Sequence, residues 1–237
     1  MSDFSGERVM VVGGSRGIGA AIVSSFANAG AKVLFTYAGS EAAAKALAEK
    51  TGAEAVRSDA ADRDALVATV RDAGPIDIFV YNAGLLIAGD PLTLDADEVD
   101  RMVDVNVRGA YHASVEAARA MPEGGRIILI GSVNADRVPF PGISAYAMTK
   151  SALQGMTRGL ARDFGARGIT VNVVQPGPTD TDMNPAEGAF AEQLHAIMAT
   201  GRHGTPDEVA SLVLYLAGPG AGGVTGAMHT IDGGFGA

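Results

Sequence analysis

The sequence predicts an α/β protein with three layers, in which helices cover both faces of a doubly wound parallel sheet of about seven strands. Short apolar runs alternate with alanine-rich helical stretches along the chain, a pattern typical of repeated strand–helix units. A glycine-rich turn lies at the first strand–helix junction. No linker, low-complexity tract or internal repeat divides the 237 residues, so residues 1–237 are predicted to form a single domain.

Seven short runs are predicted to be the strands of repeated strand–helix units. They lie at residues 8–12, 32–36, 54–58, 76–80, 126–130, 169–174 and 227–231. Helical patterns follow through residues 20–26, 41–50, 62–71, 99–120, 144–164 and 206–217. The last begins at Thr205-Pro206-Asp207-Glu208, which offers a cap residue, a proline at the first helical position and early acids.

The stretch at residues 179–204 is the least regular part of the chain and follows a Pro-Gly-Pro break. We expect it to be a flexible flap beside a bound ligand. An acidic run upstream of it, at Asp95, Asp97, Glu98 and Asp100, is interpreted as a helix N-terminus, where negative charge is favourable.

Composition excludes several classes of function. The formal net charge of −9 disfavours a general surface for DNA, RNA or anionic membranes. The chain has no cysteine, so a disulfide framework and a thiolate metal site are excluded. Its four histidines are scattered without ligand spacing, and no metal site is predicted. No basic leader or long apolar run is present, so we expect a cytoplasmic protein with no membrane segment.

The first strand leads into Gly13-Gly14-Ser15-Arg16-Gly17-Ile18-Gly19 and then into a helix. The glycines permit a tight turn and close backbone approach, and the helix N-terminus favours a negatively charged phosphate. Their spacing, GxxxGxG, differs from the common GxGxxG fingerprint. Together with the alternating strands and helices, the turn predicts a Rossmann-type nucleotide site.

Tyr146 and Lys150 are four residues apart within a predicted helix, which places them on one face. A neighbouring ammonium favours the ionised form of a phenol, which ordinarily titrates near pH ~10. Ser132 follows an apolar run shortly before this pair, and its hydroxyl could hold a carbonyl oxygen beside the phenol. These groups suit an acid/base site that interconverts an alcohol and a ketone.

Taken together, the motifs resemble those of the short-chain dehydrogenase/reductase family over essentially the whole chain. The matching segments are residues 13–19, Asn82-Ala83-Gly84, Asn106, Ser132, Tyr146 to Lys150, Pro176-Gly177 and residues 231–234. The resemblance implies that Tyr146 is the general acid in reduction, that Lys150 lowers its pKa and contacts the nicotinamide ribose, and that Ser132 polarises the carbonyl. It further implies that Asn106 completes a relay by holding a water near Lys150, and that the chain forms a homotetramer through its long helices and last strand.

NADP(H) is the expected cofactor. No carboxylate follows the second strand until Glu41, and Arg16 offers a fixed positive charge in the glycine turn; both favour a 2′-phosphate over a free ribose hydroxyl. The expected cofactor contacts are Gly13, Ser15, Arg16, Gly17, Ile18, Gly19, Thr36, Tyr37, Ala38, Ser40, Asp59, Ala60, Asn82, Ala83, Gly84, Tyr146, Lys150, Pro176, Gly177, Thr179 and Thr181.

Two positions depart from the family pattern. Val12 stands where a threonine is common, and Tyr81 stands where a second asparagine is common. Both changes remove a polar side chain from a structural turn, although neither removes a catalytic group.

Two functions remain open. The first is an NADPH-dependent oxidoreductase acting on a small carbonyl or alcohol, with a neutral or weakly polar substrate preferred. The second is a regulator that binds cyclic-di-GMP and promotes biofilm dispersal with little turnover, which follows from a closer resemblance within the family at residues 111–119, 121–126, 151–156, 174–178 and 224–232. Arg158 and Arg162, one helical turn apart, could grip phosphates, but ion pairs on the helix surface explain them more simply.

Overall fold

The computed structural model describes residues 3–237 and contains a single seven-stranded sheet in which every pairing is parallel. The strands are β1 (Arg8–Val12), β2 (Lys32–Tyr37), β3 (Glu54–Arg57), β4 (Ile78–Tyr81), β5 (Arg126–Ile130), β6 (Thr170–Pro176) and β7 (Met228–Ile231). The helices are α1 (Gly17–Asn28), α2 (Glu41–Thr51), α3 (Arg63–Asp72), α4 (Ala96–Val103), α5 (Ala110–Ala120), α6 (Ser144–Phe164), α7 (Ala189–Ile197) and α8 (Pro206–Ala217). The predicted α/β class is confirmed.

The sheet has the order β3-β2-β1-β4-β5-β6-β7. The chain therefore winds outward from β1 to one edge, returns to β4 beside β1, and winds to the other edge. In such sheets, ligands bind at the carboxyl ends of the strands, where the winding direction reverses. The reversal here lies between β1 and β4, and it determines where the functional groups are sought.

Two apolar clusters fill the spaces between the sheet and its two helical layers. One contains Phe79, Ile127 and Leu129 of the sheet with Leu66 of α3 and Leu153 of α6. The other packs sheet residues against α1 and α8, whose faces carry Ile22, Val23, Phe26, Val209 and Val213. Because both faces are covered, the central strands β1, β4, β5 and β6 are largely buried, whereas the edge strands β3 and β7 are partly exposed.

Local signals begin several helices as expected. The Thr205 hydroxyl accepts from the Glu208 N–H while the Glu208 carboxylate accepts from the Thr205 N–H, which forms a capping box with Pro206 at the first position. Asp95 caps α4 by accepting from the Asp97 N–H. The acidic run upstream of the flap is therefore confirmed as a helix start.

The helix predicted over residues 99–120 is confirmed, since residues 96–120 are helical throughout. It contains a π-helical turn, Asp104–Gly109, between α4 and α5, which the sequence did not predict. Sequence periodicity cannot show such a turn, because it inserts one residue without interrupting the chain's helical composition. The flap also contains more regular structure than expected, since α7 occupies its centre and packs Leu194 against Val133, Met198 and Phe235.

Candidate active site

The Tyr146–Lys150 pair lies one turn apart on α6, as the spacing predicted. Both side chains are buried, with 9% and 4% of their surface exposed, and the Lys150 Nζ lies 5.7 Å from the centre of the Tyr146 ring. The ammonium donates to the Ile130 carbonyl oxygen at 3.0 Å, at the carboxyl end of β5. Ser132, two residues further along the chain, lies close enough to the phenol to lower its pKa. The structure thus brings together all three predicted groups.

The titration of this pair differs from the sequence-based expectation. Burial raises the pKa of the Tyr146 phenol, and the Ser132 hydroxyl offsets only part of that rise. Burial also lowers the pKa of Lys150 to about 8. The cost of burying a phenolate therefore dominates the pKa of Tyr146, and Lys150 is not among the groups that lower it. A protonated phenol beside a positively charged lysine is the dominant form at neutral pH.

Asn106 lies in the π turn, and its side-chain amide connects three segments. Its Oδ1 accepts from the Leu85 N–H at 2.8 Å, and its Nδ2 donates to the Leu85 carbonyl and to the Thr149 hydroxyl, both at 2.9 Å. Both amide hydrogens are therefore used by the protein, and only Oδ1 has capacity left for a water molecule. The Thr149 hydroxyl donates in turn to the Tyr146 carbonyl oxygen at 2.7 Å.

Gly84 marks the point where these groups converge. A β-carbon at this glycine would lie 3.4 Å from the Lys150 Nζ and 3.6 Å from the Asn106 Oδ1. The space left by the missing side chain therefore joins the lysine to the asparagine at the end of β4. This is the volume in which a water relay or a cofactor ribose would meet the lysine.

Asn134, expected from the sequence only as part of the pocket wall, contacts Ser132 directly. Its backbone N–H donates to the Ser132 hydroxyl oxygen at 3.1 Å, and its Oδ1 accepts from the same hydroxyl at 3.3 Å. Its Nδ2 donates to the Arg137 carbonyl oxygen at 3.0 Å, so the amide orientation is fixed. Asn134 therefore controls the direction of the Ser132 hydroxyl. Its position two residues after the serine was the available signal, since short polar side chains commonly bond to neighbouring groups in such turns.

The glycine turn follows β1 and is held from two sides. The Thr36 hydroxyl accepts from the Gly13 N–H at 3.0 Å, and the Asn82 Nδ2 donates to the Gly13 carbonyl at 2.7 Å. A β-carbon at Gly19 would lie 2.2 Å from that same carbonyl oxygen, so only glycine permits this approach of α1. Thr36 is only 1% exposed, and its hydroxyl holds the turn. That contact replaces the polar group missing at Val12, whose side chain is fully buried.

The start of α1 is open to an anion. Arg16 precedes the helix in an extended conformation, no side chain caps the helix, and no acidic residue occupies its first turn. Its free N–H groups and the helix dipole therefore favour a phosphate. Ser15, Gly17 and Ile18 surround this end and are partly exposed.

The flap touches the glycine turn at two points. The Thr181 Cγ2 would lie 3.1 Å from a β-carbon at Gly17, and the Arg16 guanidinium lies 3.7 Å from the Asp182 carboxylate. The Arg16 and Asp182 side chains are 61% and 81% exposed, so their ion pair is weak. Thr179 is buried and donates to the Gly177 carbonyl at 3.0 Å, which anchors the flap immediately after Pro176.

The glycine turn, the start of α1 and the flap border a crevice at the carboxyl edge of the sheet, and the ends of β2 and β3 border it as well. Tyr37, Ala38 and Ser40 follow β2 without any acidic side chain before α2, and all three are at least partly exposed. After β3, the Asp59 carboxylate accepts from the Ala61 N–H at 3.0 Å and from Arg101 at 2.9 Å. Burial raises the pKa of Asp59, but these hydrogen bonds outweigh it and leave the pKa below its ordinary value. Ala60 beside it is buried.

This chain is similar in sequence and fold to several known proteins. The family model described as enoyl-(acyl carrier protein) reductase matches residues 12–236. The chain is 63% identical over its full length to the cyclic-di-GMP-binding biofilm dispersal mediator protein of Escherichia coli (strain K12), and covers 100% of that protein. A short-chain dehydrogenase from Burkholderia cenocepacia J2315, crystallised with NADP, is 47% identical with a TM-score of 0.95, and the match covers 99% of each chain. The chain belongs to the short-chain dehydrogenase/reductase family.

Among members of the short-chain dehydrogenase/reductase family, the crystal structure of BdcA in complex with NADPH superposes with a TM-score of 0.98. That protein is 63% identical to this chain, and the match covers 99% of this chain and 96% of the other. The resemblance inferred from the sequence motifs is therefore confirmed. Two further observations delimit the protein: no helix within residues 3–237 is both long and apolar enough to cross a bilayer, and those residues contain no cluster of three or more potential metal ligands.

Proposed function

We propose that this protein binds NADP(H) and interconverts a carbonyl and an alcohol by hydride transfer, with Tyr146 as the acid/base group. The observation that carries this proposal is the meeting of Ser132, Tyr146 and Lys150 at the same sheet edge as the uncapped start of α1. The catalytic cluster and the phosphate site are thus separate parts of one crevice. Oxidoreductase chemistry is the activity of the family as a whole.

The residues of the crevice suit the dinucleotide. The uncapped helix start would hold a pyrophosphate. Gly13 and Gly19 let the turn pack against Ala83 and let α1 approach the turn, and Pro176 with Gly177, at the end of β6, would contact the nicotinamide. The stretch after β2 carries no carboxylate to repel a 2′-phosphate, and the exposed Arg16 supplies the matching charge. When bound, the nicotinamide supplies the hydride in reduction or accepts it in oxidation.

The chain's own groups complete the chemistry. The Asn134 N–H fixes the position of the Ser132 hydroxyl oxygen. The Ser132 proton would turn from the Asn134 Oδ1 to the carbonyl oxygen and hold that oxygen beside the phenol. The Tyr146 proton passes to that oxygen as negative charge accumulates there. Burial keeps the phenol protonated at neutral pH, which suits the reduction direction, and the Lys150 ammonium stabilises the resulting phenolate. Proton return to Tyr146 proceeds along the Lys150 side of the site, where Gly84 leaves space.

The substrate that fits best is a neutral carbonyl compound. Val133, Phe140, Leu194 and Met198 make the flap side of the site apolar. Arg137, the cation nearest to Ser132 in sequence, donates to the Phe235 and Ala237 carbonyls. It is thus already engaged and does not provide a free carboxylate-binding charge.

The decisive experiment measures NADPH consumption with a panel of aldehydes, ketones and 3-oxoacyl thioesters, together with NADPH and NADH affinities by calorimetry. We expect NADPH to bind more tightly than NADH, and we expect turnover of at least one neutral carbonyl. Tyr146→Phe should reduce kcat by about 10²–10⁴-fold and leave NADPH binding intact. Exposed Tyr215→Phe is the matched control. Failure of the wild-type protein to bind either nucleotide would contradict the proposal.

A second candidate function is cyclic-di-GMP binding, favoured by the 63% identity to a protein named for that activity. Arg158 and Arg162 are both exposed on the second half of α6, and the Arg158 Nη1 contacts the Met228 Sδ at 3.6 Å. Calorimetric titration of cyclic-di-GMP into wild-type protein and into Arg158→Ala/Arg162→Ala separates the possibilities. Tight binding that the double variant abolishes, without turnover on any carbonyl, would favour the regulator.

Assembly as a homotetramer is also proposed. β7 is an edge strand of the sheet, and the outer faces of α5 and α6 expose Tyr111 and Met148, at 46% and 55%. Apolar side chains exposed on two adjacent long helices are typical of a subunit interface. Light scattering coupled to gel filtration measures the mass, and Met148→Glu should lower it; a monomeric wild-type protein would contradict the proposal.

A further inference from the structure

The phenol of Tyr81 lies at the end of β4, inside the protein. Only 1% of the residue is exposed, and its hydroxyl donates to the Val105 carbonyl oxygen at 2.6 Å. Burial raises the pKa of this phenol well above its ordinary value, and the Asp59 carboxylate adds to the rise. The hydroxyl therefore stays protonated and acts as a permanent donor. No step of the proposed mechanism uses it.

The acceptor of this hydrogen bond belongs to the π turn, Asp104–Gly109. A π turn extends each hydrogen bond by one residue compared with an α-helix, so a buried carbonyl within it benefits from an additional donor. Gly109, at the end of the turn, has no side chain and so leaves space for the phenol. A β-carbon there would lie 2.6 Å from the Tyr81 hydroxyl oxygen and 2.6 Å from the Ala60 carbonyl oxygen. Tyr81 and Gly109 therefore form a matched pair.

Asn106 follows Val105 directly in the chain, so the position of the turn sets the position of its amide. That amide holds Leu85 through two hydrogen bonds and Thr149 through a third, and Thr149 supports the backbone of Tyr146. A turn that returned to α-helical spacing would rotate Asn106 away from both contacts. The chain of contacts thus runs from Tyr81 to the backbone of the acid/base residue.

We propose that Tyr81 is a positioning residue for the reaction, because its hydroxyl fixes the π turn that carries Asn106. The departure at Tyr81 from the family pattern adds a specific contact, although the sequence alone indicated only the loss of a polar side chain. The kinetic consequence rests on the proposed function, but the structural consequence does not.

Tyr81→Phe tests this inference because it retains the packed ring and removes only the hydroxyl. We expect kcat for carbonyl reduction to fall about tenfold, while the KM for the carbonyl and the Kd for NADPH change by less than about twofold. Tyr215→Phe, at a residue that is 55% exposed on α8, is the control and should leave all three values unchanged. An unchanged kcat in Tyr81→Phe would overturn the proposal.

A double-mutant cycle distinguishes positioning from a general loss of stability. If Tyr81 acts through Asn106, Tyr81→Phe combined with Asn106→Ala should be no slower than Asn106→Ala alone. Losses that multiply in the double variant would show that the two residues act independently, and would contradict the inference.

Hydrogen exchange supplies a readout that does not depend on turnover. The Leu85 N–H is held by the Asn106 amide, so a peptide spanning residues 82–90 should exchange faster in Tyr81→Phe and at the wild-type rate in Tyr215→Phe. Unchanged exchange would refute the structural inference. If the wild-type protein reduces no carbonyl, the proposed function fails, while this comparison still decides whether Tyr81 positions the turn.

Discussion

Replacing Lys150 with methionine should stabilise the protein at neutral pH while it abolishes the chemistry. Burial lowers the pKa of Lys150 from 10.5 in a model peptide to about 8, because a charged ammonium is disfavoured away from water. At about 1.4 kcal/mol for each pKa unit, the folded protein bears a penalty of about 3 kcal/mol at pH 7. Methionine removes the charge and retains most of the side-chain volume.

One favourable contact is lost in this variant. The ammonium donates to the Ile130 carbonyl oxygen at 3.0 Å, and the loss of a hydrogen bond from a charged donor costs about 1.5–3 kcal/mol. We therefore expect Lys150→Met to raise the free energy of unfolding by about 1 kcal/mol at pH 7, with a gain in Tm of about 2–4 °C for a chain of this size. Removing a functional group from an active site commonly makes the protein more stable.

The pH dependence gives the sign of the effect. Below pH 8, Lys150 is protonated in both the folded and the unfolded state, and the full penalty applies. Between about pH 8 and pH 10.5, the folded protein releases this proton first, so the unfolded state binds more protons and wild-type stability rises with pH. The advantage of Lys150→Met should therefore shrink across this window. Tyr146 has a raised pKa, and its contribution arises only near and above pH ~10.

The assay is urea denaturation of wild-type protein and Lys150→Met from pH 6.5 to pH 9.5, at one fixed protein concentration because assembly affects apparent stability. Lys50→Met, at an exposed position on α2, controls for loss of a lysine charge at the surface. A Lys150→Met variant less stable than wild type at pH 7 would refute the reasoning. A stability difference that does not change between pH 7 and pH 9.5 would do the same.

Three other expectations concern single contacts. Arg16→Ala should weaken NADPH binding about tenfold and leave NADH binding within about twofold, measured by calorimetry; equal losses for both nucleotides would contradict a 2′-phosphate contact. Gly19→Ala places a β-carbon 2.2 Å from the Gly13 carbonyl oxygen and should abolish NADPH binding. In Gly159→Ala, no atom lies within 4 Å of the added β-carbon, and this substitution should stabilise α6 by about 0.5–1 kcal/mol. Asn134→Ala should lower kcat about tenfold with little change in NADPH affinity, because it releases the Ser132 hydroxyl; an unchanged kcat would exclude that role.

Local patterns were sufficient for most of the elements and for the candidate catalytic pair. The central strands are buried runs and α3, α4 and α8 begin at side-chain caps, so their positions follow from residues close together in the chain. Tyr146 and Lys150 also share a helix, and a separation of four residues alone places them on the same face. The glycine turn could be predicted for the same reason. Its shape depends on backbone freedom at Gly13 and Gly17, both of which have positive φ values.

Contacts between distant residues decided the rest. The π turn forms where Tyr81 of β4 contacts Gly109. The helical pattern of one segment cannot predict a hydrogen bond from a hydroxyl on another strand. Thr36 was expected among the cofactor contacts, but it is buried and its hydroxyl accepts from the Gly13 N–H. The titration of Tyr146 likewise depends on how deeply the fold encloses it.

The sequence by itself determined the α/β fold and the family, and it predicted the candidate reactive groups, because periodicity, capping and turn chemistry act over a few residues. Only the tertiary structure decided how those groups are oriented and charged. Orientation and pKa depend on burial and on hydrogen bonds from segments that are separated by tens of residues along the chain and meet only in the folded protein.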